Sequence, residues 1–262
     1  MRRYPLKQVI TNRCWVGICF AIGLDKMPGE NEYNFSLTTF SPSGKLVQIE
    51  YALNGVAKGS PTIGIKAKDG VVIAAEKKMS STLIDDNSFN KIEHFTENIG
   101  VVAAGMPADF RIVVKKGRKE AIKHKLQYGE NIPGAQLVKK VASVMQEYTH
   151  SGGVRPFGIS LLVASYDENG PQLFQIDPSG AYFPWKAAAI GSRMQSNKSF
   201  LERRHSNDLE LEDAIHIAIL TLKDCFEGEL TNKNIEIGIV GKSKKFEILT
   251  PDIIADYLSE IN

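Results

Sequence analysis

Residues 59–78 read GSPTIGIKAKDGVVIAAEKK. The runs on either side of Lys68-Asp69-Gly70 alternate as strands do, and an Asp-Gly pair tolerates the positive φ of a tight hairpin turn. The segment therefore predicts a first antiparallel hairpin, with a hydroxyl, Ser60, directly after Gly59 at its head. A hydroxyl in that place is what a self-processing hydrolase needs if it is to cut itself and expose an N-terminal nucleophile. What precedes Ser60 decides the chemistry: it is either a propeptide to be shed or a part of the working fold.

Just upstream, Ser41-Pro42 sets a capping hydroxyl before a proline at the first helical position. Leu46, Ile49, Leu53 and Val56 then recur at helical spacing until Lys58-Gly59 stops the run. These are the marks of an amphipathic helix kept in the mature chain, since a discarded segment needs no such order. Pro61 points the same way, because it fixes φ beside the bond that would have to twist for acyl transfer. Residues 1–26 combine Arg2, Arg3, Lys7 and Arg13 with the apolar run from Trp15 to Leu24, the outline of a signal peptide. That run ends in Asp25-Lys26 without a small-x-small cleavage site and is too short to span a bilayer. Met27 and the polar PGENEYNFSL after it make a natural start. Within an N-terminal extension of residues 1–32, residues 1–26 are thus expected to be spurious or dispensable. A targeting role and a separate function are the alternatives.

Downstream, NKIEHFTENIGVVAAG (90–105) repeats the hairpin pattern around Glu97-Asn98. Two helices follow, over 108–128 with Ile112, Val113 and Ala121 facing inward, and over 134–150 with Leu137, Val138, Val141, Val144 and Met145. Strands return in GISLLVASYDENGPQLFQID (158–177) and SGAYFPWKAAAIG (179–191). Helices follow in 194–206 and 211–226, then strands near 235–241 and 245–249, then a closing helix in 250–261. Hairpins separated by helix pairs describe antiparallel sheets whose outer faces are covered by helices, a two-sheet sandwich between helical layers. No composition break after residue 33 suggests a second domain, so residues 33–262 are expected to form one.

Composition excludes several function classes. The 262 residues carry 32 Lys and Arg against 30 Asp and Glu, a net charge of +2 that drives no bulk association with nucleic acid or acidic membranes. Cys14, Cys19 and Cys225 have no CxxC spacing and the five histidines form no HxxxH pair, which argues for a reducing compartment and against a metal site. His216, in DAIHIAILTL, is expected to be a packed, hydrogen-bonded histidine, since no second ligand type stands at helical spacing. The basic run Lys115, Lys116, Arg118, Lys119, Lys123 and Lys125 lacks interleaved aromatics, so it reads as a solvated or subunit-facing helix side. Asp85-Asp86 reads as a polar loop, and GGVRPFG (152–158) as a rigid turn feeding a strand, without the Lys and helix start of a phosphate loop.

Six motifs, FSPSGKLVQIEYAL (40–53), GVVIAAEKK (70–78), NSFNKI (87–92), GGVRPFG, QIDPSGAY (175–182) and AAIGS (188–192), stand in the order and spacing of one family. From Tyr33 to its end the chain resembles the alpha-type subunits of the 20S proteasome. The resemblance implies an α+β fold, the four-layer αββα sandwich of N-terminal nucleophile hydrolases, with an extra N-terminal helix. It further implies a non-catalytic structural and gating subunit in the outer alpha ring of the core particle. Such a subunit controls substrate entry and docks activators for ubiquitin-dependent and ubiquitin-independent degradation. Its implied partners are other alpha subunits in a seven-membered ring, beta subunits, and regulatory-particle ATPases or other activators. Neither nucleic acid, membrane, cofactor nor metal is implied, and the setting is cytoplasm and nucleus. The alternative is a self-processing N-terminal nucleophile hydrolase cleaved after Gly59.

Several residues carry expectations from the family. Catalytic relatives use a free Thr, where this chain has Ser60. The supporting Asp and Lys of those relatives match Glu76 and Lys91, and their Asp-x-x-Ser-Gly-Gly has no counterpart in FEGELTNKN (226–234). The cluster that holds the gate open matches Tyr33, Asn34, Pro42 and Tyr51. Asn34 replaces the usual Asp and Phe35 the usual Arg, and Asn keeps hydrogen-bonding capacity without the charge. Lys91 falls where the family presents a lysine to the C-terminal carboxylate of an activator tail, in a site whose other wall comes from a neighbouring subunit. The plain alternative is a surface lysine paired with Glu93.

Overall fold

The computed structural model describes residues 39–78, 81, 83–85, 89–226 and 230–261. Cys14, Cys19, Tyr33, Asn34, Phe35, Asp86 and the Glu227–Glu229 part of FEGELTNKN lie outside them.

The expected first hairpin is β1 (Thr62–Lys66) and β2 (Gly70–Glu76), paired antiparallel with Thr62 opposite Ala75. The Ala67 amide closes its turn on the Gly70 carbonyl at 2.8 Å. Two further hairpins follow, β3 (Ile92–Thr96) with β4 (Ile99–Gly105) and β5 (Ile159–Asp167) with β6 (Gly170–Ile176). The short strands β7 (Tyr182–Pro184) and β8 (Ala187–Ile190), then β9 (Ile235–Gly241) and β10 (Phe246–Ile248), complete two sheets. Their orders are β10-β9-β2-β1-β8 and β3-β4-β5-β6-β7, and every pairing is antiparallel.

The continuous apolar run Val71–Ala75 is explained by layering. Val71 and Ile73 face the second sheet, against Val102, Leu162 and Leu173. Val72 and Ala74 face the other way, under helices. A strand covered on both faces has no solvent side to make polar, so alternation between two cores reads as an unbroken run. The helices on this side are α4 (Met194–Arg204), α5 (Leu211–Cys225) and α6 (Pro251–Ile261), packed through Leu201, Ile215, Ile219 and Ile254. Over the second sheet lie α2 (Pro107–Tyr128) and α3 (Gly134–His150), where Val113, Leu137 and Met145 meet Val101, Leu161 and Val163. Each large aliphatic side chain so buried stabilises the fold by about 1.5–3 kcal/mol. The result is the α+β, four-layer αββα sandwich, with a helix, α1 (Val47–Ala57), ahead of the first strand.

Two local expectations are corrected. Helix α1 begins at Val47, not after Ser41-Pro42. Gly44 sits at φ +76°, outside helical space, and Ser41 Oγ accepts the Lys45 amide at 3.2 Å, so residues 41–45 form a turn and no cap. Ile112 is not inward-facing; it is exposed, and the buried face of α2 is made by Phe110, Val113, Val114 and Ala121.

Candidate functional site

The Gly59-Ser60 junction connects α1 to β1, and the sandwich holds it from three directions. The Gly59 amide donates to the Val56 carbonyl at 2.8 Å, and the Gly59 carbonyl oxygen accepts the Ser192 amide at 2.8 Å. Gly105 (φ +118°) packs against Gly59, and Gly191 packs against the Ser60 carbonyl so closely that a Cβ on it would collide there. The nitrogen that would have to serve Ser60 as base is bound in this peptide. Glu76 is drawn alongside, its amide donating to the Pro61 carbonyl at 3.1 Å.

Lys91 stands one residue before β3, half-buried, where its ammonium feels both Glu76 and Glu236. The structure thus brings Glu76 and Lys91 together as the sequence suggests. Burial pulls the Lys91 ammonium below the ordinary lysine range, opposed first by the Glu76 charge and then by Glu236. The expected alternative pairing with Glu93 is not made: Glu93 bonds Arg118 of α2 at 2.7 Å. Lys91 lines a cavity of about 170 Å³ with Phe89 and Asn90 on its own side and Gly105, Met106 and Phe110 opposite. A lysine in a partly desolvated cleft has the chemistry for a charge-assisted contact with a carboxylate.

Residues far apart in sequence brace the walls of this cleft from behind. Asp109, in the first turn of α2, is buried and takes Arg155 bidentately, at 2.7 and 2.8 Å, and the Gly158 amide at 2.9 Å. Burial alone would push the Asp109 carboxyl up; Arg155 and the Gly158 amide outweigh it and hold the carboxyl below the ordinary range. Gly158 in turn accepts the Met106 amide at 3.1 Å, so the GGVRPFG turn braces the Gly105-Met106 wall. On the other side, Glu236 of β9 accepts the amides of Lys91 at 2.7 Å and Ile92 at 3.4 Å. Neither Glu236 nor Asp109 stands out in the sequence as a site residue. A signal for Glu236 is nonetheless present there: a carboxylate among apolar residues in IEIGIV, on a strand with both faces covered.

The other singled-out residues lie apart from this cleft. Pro42 is exposed in the turn before α1 and Tyr51 is exposed on α1, while Tyr33 and Asn34 lie outside the described residues, so the four are not seen together. His216 is hydrogen-bonded to the Glu212 carbonyl at 3.0 Å and to Glu260 of α6 at 2.9 Å, though it is partly exposed. Cys225 is buried beside Asn197, and burial pushes its thiol up. In the basic run, Lys116 bonds the Tyr148 hydroxyl at 2.6 Å and Arg118 bonds the His94 carbonyl at 2.8 Å. Among the described residues no group of three or more His, Cys, Asp or Glu could hold a metal ion.

Comparison with known proteins identifies the family. The family model for proteasome subunits matches residues 56–240, and the model for the N-terminal signature of the A-type proteasome subunits matches residues 33–54. The chain is 60% identical over 233 residues to the proteasome alpha type-2-A subunit of Arabidopsis thaliana, covering 89% of this chain and 99% of that one. It is 60% identical over 229 residues to the proteasome alpha type-2 subunit of Dictyostelium discoideum, covering 87% and 98%. Its identity to the Drosophila melanogaster protein of the same name is 56% over 229 residues, 87% and 97% of the two chains. With the signature on the segment that leads into the Gly59-Ser60 junction and the core model on the sandwich behind it, the chain belongs to the alpha-type branch of the proteasome subunit family.

Proposed function

We propose that this chain is a non-catalytic structural and gating subunit of the outer alpha ring of a proteasome core particle. In this reading it sits in a seven-membered ring of alpha subunits on a beta ring, with residues 33–262 as its working domain and residues 1–26 dispensable. It takes part in closing the entry pore and receives activator tails at Lys91, in cytoplasm and nucleus.

The observation that carries the reading is the Gly59-Ser60 junction. A self-processing hydrolase must present that carbonyl for attack and then lose what precedes it. Here Val56, near the end of α1, is buried in the core between the sheets. Shedding residues up to Gly59 would strip Val56 from that core. A second feature supports assembly. Helix α2 exposes Ile112, Ile122 and Leu126, the last 84% accessible, flanked by Lys115, Lys119 and Lys123. Such a face, on which apolar and lysine side chains interleave, suits a neighbouring chain of the ring.

Ser60→Ala in assembled particles tests the reading. Peptide hydrolysis should proceed at the wild-type rate. Loss of one peptidase activity in that variant, with a wild-type chain found to begin at Ser60, would overturn it.

A further inference from the structure

We propose that Glu236 is the positioning residue of the Lys91 pocket: from one sheet, its carboxylate grips the first amides at the edge of the other sheet and so fixes where Lys91 stands. The inference rests on the docking role given above to Lys91 and deepens it.

Glu236 is a costly residue to place where it is. It pairs with Ala75 in the middle of a sheet, lies between Ile235 and Ile237, and is 8% exposed. A carboxylate so buried destabilises the fold unless its oxygens are hydrogen-bonded. Its partners are not a surface cation but two backbone amides 144 and 145 positions away, those of Ile92 and Lys91, both meeting the same oxygen, Oε2. Those amides lie where fixing matters most. Among the described residues β3 is the edge strand of its sheet, paired only with β4, and its ladder starts at Ile92, so Lys91 stands just before it. The hydrogen bonds from Glu236 supply the anchor that the ladder does not.

The surrounding charges agree with this role. Around Glu236 stand Lys77 at the end of β2, Lys91, and Glu93 on β3, whose carboxylate is taken by Arg118. Glu76 faces Lys91 from the end of β2. Burial pushes the Glu236 carboxyl up, while the Lys91 amide, the Lys77 charge and the Ile92 amide hold it down. The charges of Glu76 and Glu236 both oppose the pull of desolvation on the half-buried Lys91 ammonium. An ammonium whose backbone is fixed in place binds an incoming carboxylate with less to be ordered, which is how a preorganised site gains affinity.

The test uses assembled particles and a peptide that ends in a free α-carboxylate and carries a photo-crosslinker, with its carboxamide twin. The readout is the concentration giving half-maximal crosslinking to this chain. Glu236→Ala should weaken the carboxylate peptide about tenfold, equivalent to about 1.4 kcal/mol, and leave the carboxamide twin unchanged. Glu236→Gln, whose amide oxygen still accepts both N–H groups, should restore most of the binding. In a Lys91→Ala background Glu236→Ala should add nothing. If Lys91→Ala loses the carboxylate preference and Glu236→Ala keeps it, the positioning role is wrong and the docking role stands. If Lys91→Ala itself changes nothing, the docking role is wrong and this inference falls with it. A loss in Glu236→Ala that is equally large for the carboxamide twin, or that persists without Lys91, marks general damage and also overturns the inference. Should Glu236→Ala fail to assemble, Glu236→Asp draws the oxygen back by one methylene and should weaken binding; wild-type binding in that variant contradicts the proposal.

Discussion

Lys91 is a lysine that burial works against and two carboxylates work for, and its balance sets what it can bind. A tail carboxylate entering the cleft makes a charge-assisted contact worth on the order of 1.5–3 kcal/mol. Lys91→Ala should therefore leave the ring assembled and weaken tail-inserting activators at this pocket by roughly ten- to a hundredfold, measured by competition with a carboxylate-ended peptide. Asp109 offers a second prediction, through pH. Its folded carboxyl lies below the ordinary value of 3.8, so its stabilisation is fully present above that value and is lost as pH falls through the lower folded one. Asp109→Asn should flatten this acid limb in unfolding experiments run between about pH 2 and 7. It should cost about 2 kcal/mol at neutral pH, a modest figure because Arg155 is more than half exposed. Glu236 has the opposite sign: its raised folded value gives a contribution present below the ordinary carboxylate range and lost as pH rises through the folded one. The site is legible in the sequence only in part. The position of Lys91 follows from the motif around it, but its counter-charges do not, because Glu236 is 145 residues away and nothing local ties it to the NSFNKI segment. The nearer carboxylate, Glu93, is the natural partner by spacing, and an arginine on a packed helix has already taken it.

Helix α1 shows how an element can be read correctly in kind and wrongly in extent. The periodic Leu46, Ile49, Leu53 and Val56 mark it, yet among them only Val56 is buried in the chain, and Leu53 is exposed. Leu46 and Ile49 are half-buried among the described residues, so the periodicity marks the helix without telling which of its apolar positions the sandwich covers. The start is misplaced because Ser41-Pro42 carries the same chemistry as a cap, while Gly44 at positive φ makes it a turn. The strands are read more securely, since Asp69-Gly70, Glu97-Asn98 and Asn169-Gly170 each fix a hairpin locally. An α1 anchored through one side chain is open to a selective test. Val56→Asp places a charge between the sheets and should detach the helix: amide exchange over residues 47–57 should accelerate while β4 and β5 remain protected. Uniform loss of protection across the sandwich would show that α1 is instead an inseparable part of the folding unit.

At the scale of the whole molecule, the layered sandwich places Gly59-Ser60, Glu76 and Lys91 at one end, where a hydrolase of this architecture would do its chemistry. The chain fills that end instead. Helix α1 contributes Val56 to the inner core, and Lys91 lines a cleft walled by Gly105 and Met106. The layer order is legible because hairpins and helix pairs alternate along the chain; which strands lie side by side is not, since β9 inserts beside β2 from the far end of the sequence and no local signal directs it there. A non-catalytic role requires that the junction before β1 survive in the working assembly. Intact-mass analysis of this chain, released from native core particles, measures that directly. A chain that still carries residues 33–59 ahead of Ser60 is the predicted result, and a chain whose first residue is Ser60 would contradict it.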